Sequence, residues 1–503
     1  MDQELALAIL MSGRSALLTG AAGTGKTHLL NTFIAQARDQ GKKVSVTATT
    51  GLAATHLGGN TIHSWSGIGV SDHLPNNFFD RLSKTRREVI TKTDVLVIDE
   101  ISMLHDFRLD MVDRVLRGVR ENDQPFGGVQ LVMSGDFFQL PPINRPGGQG
   151  GGFVVYSEAW QELQPAVLYL ERQYRQSDEQ LLEILTALRN DDIRRHHAET
   201  LLARTEVELP DGDITELHTV NVDVDAINSQ KLAELAGEER AYQQTTMGSK
   251  VYVESLQRSV LAPSELVLKL GALVMAVKNS PQKLYANGSI GTVVDFEPLT
   301  DYPIVEFRSG QQVTMVPDVW ELRDGERKRA SISQVPLRLA WAVTVHKSQG
   351  MTLDAAKIDL RKAFVEGMGY VALSRVRDLD NLYLYGINRK ALAVSPDALA
   401  IDEVLQQASS EAAKHYRPML EEMKRKQSAP KKSAKSGSWQ QKITKMRETY
   451  PKAYMPWEKA DDDILKQEFL QGATIQQLSQ KLGRHEGSIR MRLQKHFGED
   501  VVQ

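Results

Sequence analysis

Residues 15–30 read SALLTGAAGTGKTHLL: an apolar strand, a glycine-rich turn and the opening of a helix. No other stretch limits the fold as strongly. Gly20-x-x-x-x-Gly25-Lys26-Thr27 is the P-loop spacing, and it works where a buried strand hands the chain to a helix N-terminus. Gly20, Gly23 and Gly25, with Thr24 between them, let successive backbone N–H groups close round phosphates. Lys26 reaches the β and γ oxygens, Thr27 offers a hydroxyl to Mg²⁺, and His28 follows as part of the same nucleotide-binding run.

Such a loop needs an acidic partner strand, and TDVLVIDEISML supplies one. Residues 95–98 are a short apolar run, with Asp99 and Glu100 at the C-terminal end, where open α/β sheets bind ligands. Asp99 is expected in the Mg²⁺ shell, and Glu100 is expected to orient or deprotonate the attacking water. A further buried strand, VQLVMSGDFFQLPP, leads to Gln139, which either senses the γ-phosphate or is a loop glutamine held by backbone bonds. The absence of cysteine excludes disulfides, thiol catalysis and cysteine zinc sites, and fits a reducing interior. The net charge of −3 means that any nucleic-acid contact must come from local patches. No apolar run of about 18 residues appears, and the first residues lack signal or transit features. The expectation is therefore a protein with no membrane association, cytoplasmic and nucleoid-associated in a bacterium or phage-infected cell.

The stretches TGAAGTGKT, TATTGLAATHLGGNTIHSWSGIG, VLVIDEISML, GDFFQLPP, YRQSD, LAWAVTVHKSQGMTL and YVALSRVR occur in this order. They resemble the motif series of superfamily-one DNA helicases of the RecD-like, 5′-to-3′ branch. Within that branch the chain is most similar to the PIF (petite integration frequency) helicases. EISMLHDFRLDMVDRVLRGVREN resembles that family's signature segment. The resemblance implies an ATP-dependent, 5′-to-3′ DNA helicase. It would use ATP and Mg²⁺, move on single-stranded DNA, and unwind duplex or structured DNA in replication, recombination or repair. A RecD-like recombination subunit, or a translocase or protein-remodelling ATPase without strand separation, is the alternative. Single strands and single-strand–duplex junctions are the implied partners, G-quadruplex or forked DNA is a further one, and a monomer is expected.

The resemblance also implies roles for single residues. Gln3 stands where the family has a glutamine that reads adenine, with a frayed terminal residue as the plain alternative. Arg175 and Arg375 resemble two arginine fingers from the second motor domain, although Arg172 competes locally with Arg175. Thr50, His63 and Trp65 would meet DNA from the first domain, with Trp65 either stacking on a base or packing in the core. Thr344, His346 and Lys347 would grip the backbone from the second, and Gln349 would face the nucleotide.

The fold class expected is α/β. Two RecA-like P-loop domains carry an inserted small SH3-like β-barrel and are followed by a small all-α C-terminal domain. Boundaries fall at 1–165 for the first motor domain, with a wedge insertion near 67–92 in which Phe78 and Phe79 either form the wedge or pack inward from an amphipathic helix. The second motor domain is expected over 166–234 and 336–400, around a β-type insertion at 235–335. A helix at 401–422 and a basic linker at 423–440 lead to 441–503. There, three helices with helix-turn-helix spacing resemble Myb-like tails, with Arg484, Arg490 and Arg492 expected to face DNA and a protein-interaction module as the alternative. Asp461, Asp462 and Asp463 read as helix-start acids favoured by the dipole.

Overall fold

The computed structural model describes the chain except residues 70, 145–146, 177, 210–213, 258–259, 281, 283, 286, 325–326, 429–435 and 499–503. The central part of the expected linker lies outside the described residues. The chain forms two compact units, Met1–Leu420 and Glu421–Gln503.

In the first unit a parallel sheet carries the P-loop. Its strands are β1 (Ala16–Gly20), β2 (Val44–Ala48), β3 (Asn60–Thr61), β4 (Val95–Asp99), β5 (Gln130–Ser134) and β6 (Ala166–Leu170), in the order β3-β2-β4-β5-β1-β6. Side chains alternate across the pleat, so β4 feeds two cores at once. Val95 and Val97 join Leu30, Phe33 and Leu168 on one face, while Leu96 and Ile98 join Val112, Val115 and Leu116 on the other. Burial on both faces explains why these strands read as continuous apolar runs. The sequence boundary at 165 needs moving: β6 pairs in parallel with β1 from Ala16↔Ala166 to Gly20↔Leu170, so this strand finishes the first sheet.

Phe78 and Phe79 do not form an exposed wedge. Phe78 is buried, and Phe79 packs edge-on against it and closes over Gly118, where a Cβ would collide with the ring. Apolar area on this short helix, Phe78–Arg81, is better removed from water than presented to a strand.

The second motor domain has a four-stranded parallel sheet of Ala342–Thr344, Thr215–His218, Ala356–Leu360 and Leu382–Ile387, in that order. Between Thr215–His218 and Ala342–Thr344 the chain makes the β-rich insertion. A five-stranded antiparallel sheet includes Leu273–Ala276, Ile290–Phe296 and Pro303–Phe307, and a hairpin of Asp318–Asp324 and Arg327–Gln334 pairs with Thr245–Gly248. A helix at Lys250–Gln257 interrupts it, which turn chemistry alone did not foresee.

The second unit contains a helix at Ser436–Thr449, then Lys459–Leu470, Ile475–Leu482 and Glu486–Phe497 around Leu465, Leu478, Leu482, Ile489 and Leu493. The expected three helices are present, but two of their three arginines do not face outward. Arg484 is 2 % exposed; it donates to Asp461 at 2.9 Å and to the carbonyls of Met455 and Pro456 at 2.7 Å each. Arg492 pairs with Asp462 at 2.5 Å, and both guanidinium groups lie over the Trp457 ring. Asp461 and Asp462 are thus ion-pair partners as well as first-turn acids. Arg490 alone of the three is exposed.

Arg484→Ala should uncover a buried carboxylate and destabilise this unit by roughly 3 kcal/mol. Amide exchange across residues 459–497 of the full chain should accelerate, whereas Arg490→Ala should leave it unchanged. Equal protection in both variants would contradict the internal role of Arg484.

Candidate active site

Three neighbouring strand ends assemble the site. β1 runs into the P-loop, β4 ends at Asp99, and β5, lying between them, runs into the loop that holds Asp136 and Gln139. The helix Lys26–Asp39 starts directly after Gly25, which sits at φ 83° in the left-handed region that glycine tolerates. A Cβ there would collide with Gln3 Nε2, which donates to Thr24 O at 3.3 Å, so Gln3 is fastened to the loop. Lys26 Nζ donates to Gly20 O and Ala21 O at 2.8 and 2.9 Å. Burial lowers its ammonium, opposed by the charges of Asp136 and Glu100.

Glu100 adopts φ 53°, a left-handed conformation that costs a non-glycine residue about 1–2 kcal/mol. Thr49 holds it there, donating from Oγ1 to Glu100 O at 2.8 Å and from its N–H to Asp99 O at 3.2 Å. Such strain is common where a side chain must be aimed. Burial first, then the charge of Asp99, pushes the Glu100 carboxyl up to about 7, against the pull of Lys26 and Arg375. Burial likewise raises Asp99, opposed by a hydrogen bond from Ser134. Gln349 Nε2 donates to Glu100 Oε2 at 2.9 Å and to Gln139 Oε1 at 3.4 Å, and Gln139 Nε2 donates to Asp136 Oδ2 at 3.2 Å. The Gln139 side chain is therefore held by side chains of the cleft, while its N–H donates to Asp136 O of the loop at 3.0 Å.

The opposite wall comes from later in the chain. The Tyr174 N–H donates to Gly23 O at 3.0 Å and lays residues 173–176 across the P-loop. Arg175 Nη1 and Gln176 Nε2 both donate to Ser374 O, at 3.3 and 3.2 Å. Arg172 instead lies over the Tyr174 ring, which leaves Arg175 as the arginine of this segment that lines the cleft. Arg375 follows the helix Met368–Leu373 and is 1 % exposed to solvent; burial, with Arg175 adding to it, pushes its guanidinium down to about 9. Lys26, Thr27, Glu100, Gln139, Arg175 and Arg375 enclose a cleft of about 680 Å³.

The cleft suits a nucleoside triphosphate: backbone amides and cations face it, and Glu100 can take a proton from water near neutral pH. Thr27 and Asp99 line the adjoining cavity, and a hydroxyl with a carboxylate is a hard-oxygen pair that fits Mg²⁺, the rest of whose shell would be water and phosphate. Bound there, the ion would neutralise charge on the phosphates. His28 lies on the exposed side of its helix and is not among the residues lining the cleft.

Of the residues expected at DNA, His63, His346 and Lys347 are half-buried. Thr50, also half-buried, caps the helix Gly51–His56, its Oγ1 accepting from the Ala53 N–H at 3.2 Å. Trp65 is 8 % exposed and packs within the first domain's core, the second of its two readings. One expectation fails. Thr344 is buried, and its hydroxyl accepts from the Lys347 N–H at 3.3 Å, so it shapes the turn rather than meeting a strand. Sequence reasoning missed Asp136 and Arg189 altogether, although Asp136 lies inside the quoted GDFFQ stretch.

Because the cleft takes its loop from one sheet and Arg375 from the other, the chain falls in the class of two-domain, RecA-like P-loop nucleotide hydrolases. Residues 2–194 match the family described as PIF1-like helicase. The ATP-dependent DNA helicase Pif1 of Psychrobacter sp. (strain PRwf-1) is 39 % identical over 483 residues, covering 84 % of this chain and 73 % of that protein. The Bacteroides sp. Pif1 structure in complex with ADP-AlF4 superposes with a TM-score of 0.71 at 30 % identity, covering 81 % of this chain and 97 % of that one. The Bacteroides Pif1 complex with ADP-AlF3 and single-stranded DNA has a TM-score of 0.60 at the same identity and coverage. The chain belongs to the PIF1-like helicase family.

With Glu100 as base, hydrolysis should rise with pH through about 7, falling about tenfold per unit below it as the carboxylate takes up its proton. Glu100→Gln should lower kcat by about 10²–10⁴-fold. A steady-state ATPase profile that stays flat between pH 6 and 8 would contradict this assignment.

Proposed function

We propose that the chain is an ATP-driven DNA helicase that steps 5′-to-3′ along single-stranded DNA and separates the duplex ahead of it. The observation that carries this reading is a single cavity of about 280 Å³. Thr50, His346 and Lys347 line it together with Thr27, Asp99, Glu100 and Gln349. Groups suited to a phosphodiester backbone therefore share a wall with the groups suited to hydrolysis, so a strand and a nucleotide would each shift what the other meets. Arg375 and Arg175 line the cleft, with the Arg375 guanidinium donating to Val371 O, Ser348 O and Met351 O, and arginines that turn toward the transferred phosphoryl can contribute about 10³–10⁵ in rate.

The strand path on this reading runs past His63 on the first domain and His346 and Lys347 on the second. Phe364 extends it: this side chain is 59 % exposed and its ring lies nearly parallel to His346, at 17° with centroids 6.2 Å apart. An exposed ring beside a half-buried lysine suits a base over a backbone contact. The PIF1-like relatives support the helicase activity, and the Bacteroides complex supports single-stranded DNA as the track. The 5′-to-3′ direction is taken from the family resemblance. Substrates are single strands and single-strand–duplex junctions, with forked or G-quadruplex DNA as structured barriers, and the working form is a monomer.

The test is strand separation on partial duplexes carrying either a 5′ or a 3′ single-stranded tail, with ATP and Mg²⁺. Release from the 5′-tailed duplex alone is expected, and Lys26→Ala should abolish it. Release from the 3′-tailed duplex alone would refute the direction. ATPase stimulated by single strands without release from either would replace the helicase with a translocase.

A further inference from the structure

An arginine that no motif contains joins the two halves of the cleft. Arg189 ends the helix Glu179–Arg189 and is buried. Its Nη1 donates to Asp136 Oδ1 at 2.8 Å and to Tyr370 OH at 3.1 Å, and its Nη2 donates to Tyr169 OH at 2.9 Å. The guanidinium carbon lies 4.2 Å from the centroid of Phe138. Asp136 and Phe138 belong to the loop after β5 of the first domain, whereas Tyr370 belongs to the helix Met368–Leu373 of the second. The Tyr370 hydroxyl also accepts from the Ala22 N–H of the P-loop at 2.9 Å. Gly367, at φ 81°, allows this contact between domains: a Cβ there would meet Phe138 O at 2.6 Å and Gln139 O at 2.8 Å.

We propose that Arg189 is a positioning residue for ATP hydrolysis: by occupying Asp136, it keeps that carboxylate from capturing Lys26, so the ammonium stays available to nucleotide phosphates. The proposal rests on the ATPase reading above and deepens it. Asp136 is 1 % exposed. Burial alone would push its carboxyl up, but the charges of Arg189 and then Lys26 outweigh it and hold it below the usual range. Lys26 feels Asp136 as its strongest attraction. Two cations therefore compete for one buried carboxylate. Arg189 wins because its planar fork also donates to two tyrosine hydroxyls and pairs with a second carboxylate, Asp402, at 3.4 Å, a geometry that a lysine ammonium cannot match. A buried carboxylate stripped of its partner must find another cation or take a proton. The cation that acts on Asp136 most strongly after Arg189 is Lys26, with Arg375 also in reach.

Because Arg189 and Asp136 lie on different domains, the contest reports on closure. With the domains together, Asp136 is engaged by Arg189 and Lys26 is turned to the loop carbonyls of Gly20 and Ala21, beside the phosphate position. With the domains apart, Asp136 loses Arg189 and pulls on Lys26, which loosens the grip on nucleotide. Tyr370 works in the same sense, since its one hydroxyl accepts from both Arg189 and the Ala22 N–H of the P-loop.

The experiment measures fluorescent ADP affinity, and the KM for ATP and kcat of DNA-stimulated hydrolysis, on the full chain. Arg189→Met keeps side-chain length and removes charge; it should weaken ADP binding and raise KM about tenfold or more. Adding Asp136→Asn to it should restore most of that affinity, because an amide does not compete for an ammonium. A merely structural role for Arg189 would leave the double variant as weak as the single one, and that result overturns the proposal, as does wild-type affinity in Arg189→Met. Should Arg189→Met fail to fold by near-ultraviolet circular dichroism, Arg189→Lys decides, since it keeps the charge and loses the fork: weaker ADP binding that Asp136→Asn restores supports the contest, and a loss that Asp136→Asn leaves in place overturns it. A wild-type chain that binds no ADP would instead refute the ATPase reading.

Discussion

Crowding of buried charge in one cleft governs the rest of the molecule. Lys26, Arg175 and Arg375 gather with Glu100 round the cleft, with Asp99 beside them and the buried pair of Arg189 and Asp136 behind. Desolvation pushes each group toward its neutral form: Lys26, Arg175 and Arg375 are lowered, and Asp99 and Glu100 are raised. Asp136 and Arg189 escape because they hold each other at 2.8 Å. The surplus of cations over carboxylates is what a triphosphate relieves. Binding and catalysis thus draw on the same unfavourable electrostatics that make the cleft sensitive to small shifts of its walls.

The fold makes that crowding possible by placing strand ends side by side. The order β4-β5-β1 sets the acids, the Asp136 loop and the P-loop along one edge of a single sheet. A helix of the second domain, between Ala356–Leu360 and Leu382–Ile387, brings Tyr370 and then Arg375 against that edge. Neither sheet alone contains a complete site. The same edge leads through Gln349 and Glu100 to the cavity lined by Thr50, His346 and Lys347, so movement between domains has a short path from nucleotide to strand.

Much of this was legible in the sequence because strands buried on both faces must be apolar throughout, and a phosphate cradle demands a fixed glycine and lysine spacing. β1, β4 and β5, the P-loop, Asp99 and Glu100 followed from such rules. What escaped was set by partners distant along the chain. β6 reads as an opening strand of the next domain, and only its register against β1 assigns it. Arg484 reads as a surface cation in a turn, yet Asp461, 23 residues earlier, draws it inside. Arg189 lies 53 residues from Asp136 and ends an ordinary amphipathic helix, so no local pattern marks it. Trp65 was open between a base and the core because its Thr- and Gly-rich neighbourhood has no periodicity to choose, and the ring packs in the core.

The central claim is that the catalytic cleft is completed by two domains whose approach depends on nucleotide. The chain has no cysteine, so two introduced ones, at the exposed Gln40 of the first domain and Glu199 of the second, would carry spin labels without background. Distances between them should be measured with no nucleotide, with ADP and with a non-hydrolysable ATP analogue, each with and without single-stranded DNA. The account predicts a distribution that shifts and narrows with the ATP analogue and relaxes with ADP. One distribution unchanged across all conditions, in a chain that still hydrolyses ATP, would contradict it.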